Sequence, residues 1–102
     1  MKKYLTGLGF INKILEGERD FTDIKLPEGF DFSQDKDALS TLKTYVESHQ
    51  NSLYYDPLIL RNSELRNLFF YMGGLVLDKI EAQHADFSGS TFQNVRFVSC
   101  QF

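Results

Sequence analysis

Toward the C-terminal end of the chain the apolar positions recur at a fixed interval. Phe87, Phe92, Phe97 and Phe102 stand five residues apart, each with a small or compact side chain two places before it: Ala85, Ser90, Val95 and Cys100. A helix repeats its apolar face about every 3.6 residues and a flat strand about every 2, so neither keeps a phenyl group on one side at this spacing. A chain that turns a corner every fifth residue does. Upstream in the same phase, Leu77 and Ala82 fill the central position, with Leu75 and Ile80 two places before. The register then slips by two residues at Gly73 and Gly74, which can supply the backbone angles of a local bulge. Before the slip come Phe70, Leu65 and Leu60, preceded by Leu68, Ser63 and Leu58. The polar positions echo the interval in Leu60-Arg61-Asn62, Leu65-Arg66-Asn67 and Phe92-Gln93-Asn94, where Asn suits a tight turn.

Ala85-Asp86-Phe87-Ser88-Gly89 has a small residue, an Asp, a Phe and two further residues of the kind found in the unit of the pentapeptide-repeat family; Ser90-Thr91-Phe92-Gln93-Asn94, Ser63-Glu64-Leu65-Arg66-Asn67 and Val95-Arg96-Phe97-Val98-Ser99 match it at most positions. Residues 58–102 therefore resemble that family, and Arg19-Asp20-Phe21-Thr22-Asp23-Ile24-Lys25-Leu26 looks like a first strand leading into it. The resemblance implies a mainly β fold, a right-handed quadrilateral β-solenoid with an α-helical N-terminal cap. The expected core is Leu60, Leu65, Phe70, Leu77, Ala82, Phe87, Phe92 and Phe97, with Ala85, Ser90, Val95 and Cys100 in the small-residue slots. For residues 57–74 a helix is a rival: Asp56 and Pro57 could start it, Leu65, Leu68, Phe69 and Met72 fit one face, and Gly73 could end it.

The front of the chain reads as a helical cap over residues 1–55, packed as one unit with the solenoid of residues 56–102 and holding a strand near 19–26. Tyr4, Leu8, Ile11 and Leu15 share a helical face across residues 4–16, ended by Gly17; Ala38, Leu42, Tyr45, Val46 and His49 do the same across residues 34–50. Ser33 is a suitable cap for the second helix, and Asp35 and Asp37 suit its positive end. Ile59, Phe69 and Val76 stand at outward positions that are polar in later units, so the second helix is expected to cover them.

Composition adds exclusions. The 102 residues give room for one modest core. Fourteen acidic and eleven basic residues, spread over both halves, give a net charge of −3, which does not favour phosphate binding. One cysteine leaves no intramolecular disulfide, as suits a reducing compartment. The apolar run Leu68 to Leu77 is half the length of a membrane span. The chain is read as cytoplasmic, without membrane contact.

No catalytic, metal or cofactor constellation emerges. His84 falls at an outward corner and Cys100 in an inward slot, so they point apart; His49 closes an apolar helical face. Glu16 with Glu18 and Asp35 with Asp37 read as solvated or capping acids. Gly73 and Gly74 lack the spacing and lysine of a phosphate loop. What remains is a non-enzymatic scaffold or protein interaction module whose protein partner the residues do not name. No direct nucleic-acid binding is expected. Resemblance alone suggests an alternative, since some members of the family imitate duplex DNA and act on topoisomerases such as gyrase. The chain ends on a central Phe, so Phe102 and Gln101 are the candidate C-terminal interface, either for a homodimer or for the continuation of a longer repeat protein.

Overall fold

A computed structural model describes residues 2–98, apart from the side chains of Asp78 and Val98. Cys100, Gln101 and Phe102, named above as a core slot and a candidate interface, lie outside the described residues. The chain starts with a short strand, β1 (Lys3–Tyr4), then α1 (Gly7–Leu15), β2 (Ile24–Lys25), α2 (Lys36–Ser48), α3 (Gln50–Tyr55), β3 (Phe69–Asp78) and β4 (Thr91–Val98).

The first helix is shorter than its apolar spacing suggests, because the residues before it are claimed by a sheet. Lys3 N–H donates to Asp23 O at 2.8 Å and Leu5 N–H to Lys25 O at 3.1 Å, pairing β1 in parallel with β2. Thr6 then caps α1, its hydroxyl accepting from Gly9 N–H at 2.9 Å. The buried face is Phe10, Ile11 and Ile14, not the expected Tyr4, Leu8, Ile11 and Leu15; Tyr4 and Leu8 are exposed. Gly17 does end the helix, at φ 98°: its N–H reaches Ile14 O and that of Glu18 reaches Lys13 O, both at 3.0 Å, the two bonds of a Schellman motif.

The second helix is capped by Asp35, which accepts from Ala38 N–H at 3.0 Å. Ser33, the expected cap, binds Asp31 instead. Leu42 and Val46 are its buried residues. His49 ends it, and a third helix not foreseen in the sequence follows at once, burying Leu53. Asp56 stops α3 because a residue before proline is pushed out of helical angles.

Among the described residues beyond Pro57 no helix forms, so the helical rival for residues 57–74 fails. The chain runs in extended pieces stacked in parallel. Isolated bridges join Asp20 to Ile59 and Ile59 to Glu81, Lys25 to Glu64 and Glu64 to Asp86, and Asp31 to Phe69. β3 pairs with β4 from Phe69 opposite Thr91 to Leu77 opposite Phe97. Between Tyr71 and Leu75 the register shifts: Met72, Gly73 and Gly74 stand where β4 has only Asn94, and both glycines have positive φ. The two-residue slip seen in the sequence is this bulge.

The expected β-solenoid and its repeat, β-helix description are corrected here. The chain is a small compact α/β protein with two short two-stranded parallel sheets and no closure into a solenoid. A solenoid needs unbroken ladders between successive turns. The extended chain makes three rows, residues 19–32, 58–78 and 80–98; the first and second meet through single bridges, α2 and α3 are inserted between them in the chain, and α1, α2 and α3 place Phe10, Ile14, Leu42, Val46 and Leu53 in the same core as the rows. The five-residue interval is a spacing of turns. Asn62, Asn67, Lys79, His84, Gly89 and Asn94, each two places past a central apolar residue, all have φ between 54° and 71°. The left-handed residue at each of these corners is what brings the next apolar side chain back inward.

Candidate interaction surface

The three rows of extended chain present two kinds of surface, an outer face of charged pairs and an end face of aromatic rings. Both are built by the turns.

The rings form a column. Phe32 stacks on Phe70 with centroids 4.7 Å apart, and Phe70 stacks on Phe92 at 4.8 Å with planes 3° apart. Of the expected core, Leu60, Leu65, Phe70, Leu77 and Ala82 are buried, whereas Ala85, Phe87, Val95 and Phe97 are partly buried against that core. Ser90 is also partly buried, and Phe92 is 42% exposed. The gradient follows the rows: side chains of the third row have described neighbours on one side only. At the opposite end β1 and α1 lie over the first row, so the two ends differ in kind.

Three Asp-Phe-Ser/Thr tripeptides pin the rows' turns. In Asp20-Phe21-Thr22, Asp31-Phe32-Ser33 and Asp86-Phe87-Ser88 the carboxylate accepts from both the N–H and the hydroxyl of the third residue while the Phe points to the core. The hydroxyl and then the amide of Thr22 hold the Asp20 carboxyl below its usual range, and those of Ser88 do the same for Asp86. This motif went unread in the sequence, although the tripeptide occurs three times.

A second device went unread too. Ser63, fully buried, donates to Phe21 O at 2.8 Å and accepts from Ile24 N–H at 3.2 Å, spanning a turn of the first row from the second. Ser90 repeats this one row on, donating to Leu65 O at 2.6 Å and accepting from Leu68 N–H at 3.0 Å. The small-residue slot holds serine where a turn needs bracing.

On the outer face acids meet bases across rows: Lys25 with Glu64 at 3.3 Å, Arg61 with Glu81 at 2.5 Å, Arg66 with Asp86 at 3.7 Å. Phe69, expected beneath α2, is 37% exposed and lies beside Tyr71, with ring centroids 5.8 Å apart. The helix packs instead at the bulge, where Lys43 Nζ donates to Gly73 O at 2.8 Å.

The titratable residues singled out in the sequence stand apart. His49 stacks on Tyr45 at 4.1 Å and its Nδ1 lies 2.8 Å from Tyr45 O, a helix-end role. His84 is exposed at its left-handed corner. Glu18 pairs with Lys13 at 3.6 Å, and Asp35 is the α2 cap. Among the described residues no group of three or more His, Cys, Asp or Glu is placed to hold a metal ion, and no helix is long and apolar enough to cross a membrane. Comparison with protein families, curated proteins and solved structures gave no match.

Proposed function

We propose that the chain is a non-enzymatic scaffold that binds another protein through the end of its third row. The observation that carries this is the ring of Phe92: one face is stacked on Phe70 and 42% of the residue is open to solvent, whereas Phe32, at the other end of the stack, is buried with Phe10 of α1 against it. An aromatic group stacked on one face and partly open to solvent is suited to anchoring a contact. β4 adds backbone groups along its outer edge, which favour pairing with another strand. The partner chosen for a first test is a second copy of the chain.

The reading as a DNA-like decoy for a topoisomerase has less support. Such a decoy needs a continuous acidic strip, and here Glu64, Glu81 and Asp86 each lie against a basic side chain.

The test is solution mass by light scattering over a concentration series, for the native chain and for Phe92→Ser, with near-ultraviolet circular dichroism to verify that the variant is folded. A mass that rises to two chains and falls back in the folded variant supports the reading. One chain at every concentration, together with no protein captured by the native chain that the variant loses, ends it.

A further inference from the structure

The three rows and the α2–α3 segment are held to the molecule by different means. Rows are tied through the backbone: Phe21 N–H to Ile59 O at 2.7 Å, Leu60 N–H to Glu81 O at 2.7 Å, Leu65 N–H to Asp86 O at 2.8 Å, and Thr91 N–H to Leu68 O at 2.9 Å are four of these bonds. Among the described residues, the backbone hydrogen bonds of residues 35–56 close within that segment. Its polar ties to the rows are side-chain ones. Lys43 reaches Gly73 O and Arg19 reaches Tyr45 OH, at 2.8 and 2.7 Å, and Lys79 sits over the Tyr54 ring. Across nineteen helical residues Leu42, Val46 and Leu53 are the buried ones.

What lies under the segment is apolar. Leu42 and Val46 border a cavity of about 40 Å³ whose other walls include Phe10, Phe32, Met72 and Leu75. At Met72 the wall of the second row is broken by the bulge, and α2 packs across that break.

We propose that α2 and α3 form a lid that opens as one unit from the stacked rows, hinged where the chain enters α2 beyond the Asp31-Ser33 clip and where it leaves α3 at Asp56-Pro57, and latched by Lys43 on the Gly73 carbonyl. Segments with few buried contacts and no shared backbone ladder are the ones that unfold locally below the global threshold. The rows remain paired while the lid is open, because none of their backbone bonds passes through it. Opening uncovers the apolar wall beside the bulge, which includes Phe70, the ring on which Phe92 stacks.

Native-state hydrogen exchange on the full chain tests this, with Lys43→Met as the latch variant. Lys43 is half-buried and its bond to Gly73 O lies at the surface, so Met, of similar length, keeps the stem packing and removes the charge; near-ultraviolet circular dichroism verifies that the variant is folded. The expected result is that the amides of Leu42, Val46 and Leu53 share one opening, exchange at least tenfold faster than those of Leu65, Phe70 and Phe92, and gain a further several-fold in Lys43→Met while β3 and β4 do not change. Exchange of α2, α3, β3 and β4 through a single global opening, or an equal acceleration of all of them in the variant, would overturn the lid.

Discussion

The hydroxyl of Ser63 reaches across rows to the carbonyl of Phe21, 42 positions earlier in the chain, at 2.8 Å. The same oxygen accepts from Ile24 N–H, so one buried side chain satisfies two backbone groups of a turn it does not belong to. Ser63→Ala strands both groups away from water and should cost about 1–3 kcal/mol in urea unfolding. Ser90→Ala, at the less buried equivalent, should cost less. Equal small losses at both sites would show that the hydroxyls are not bracing the turns.

His84 holds φ 62° without the freedom of glycine or the local hydrogen bonding of asparagine. A left-handed angle costs an ordinary L-residue about 1–2 kcal/mol, part of which glycine recovers despite its looser unfolded chain. His84→Gly should therefore raise the thermal midpoint. Gly89→Ala is the converse: at φ 71° a Cβ would stand 1.9 Å from Asn67 Oδ1, so the midpoint should fall. Opposite signs at two corners one interval apart are the diagnostic outcome.

Asp20 and Asp86 carry carboxyls held below their usual range by the hydroxyl and amide of Thr22 and Ser88. A group whose folded pKa is lowered adds stability that is present above its unfolded pKa, about 3.9, and is lost as pH falls through the folded value. The native chain should lose stability below about pH 4 partly through these two groups. Thr22→Val removes the main donor to Asp20, so stability measured from pH 5 down to pH 2 should fall less steeply than in the native chain. An unchanged slope would mean the clip does not couple to folding.

Truncations should rank by row. Phe21→Ala and Phe70→Ala remove buried rings and should cost about 3–5 kcal/mol, and Leu65→Ala about 2–5 kcal/mol. Phe92→Ala should cost clearly less, because that ring is 42% exposed. Phe69→Asp, which the expected helix cover would make severe, should cost clearly less than Phe70→Ala, because the Phe69 ring is 37% exposed.

Much of the packing was readable from spacing alone. Leu60, Leu65, Phe70, Leu77 and Ala82 are buried where the interval of five places them, and the Gly73-Gly74 slip is a real bulge because paired glycines tolerate it at little cost. The overall architecture was not readable. A local interval records turns, whereas closure into a solenoid depends on continuous ladders between distant rows, and the first and second rows share only isolated bridges. The α1 face was misread for a similar reason. Tyr4-Leu8-Ile11-Leu15 and Phe10-Ile11-Ile14 fit a helix equally, and the pairing of Lys3 and Tyr4 with Ile24 and Lys25 decides between them. Phe92 shares the spacing of Phe70 but not its burial, since position in the stack is a tertiary property. The serine braces and aspartate clips rest on short polar tripeptides and single hydroxyls that hydrophobic periodicity does not weigh.

The insertion of α2 and α3 also sets an order of assembly. Ile59 and Glu81, whose rows pair directly, are 22 positions apart, whereas Asp20 and Ile59 are 39 apart with the helices between. Closing the longer loop costs about 0.5 kcal/mol more in chain entropy, before the helices themselves are ordered. The second and third rows therefore hold a kinetic advantage of about twofold, and φ-values at Leu65 are expected to exceed those at Ile24.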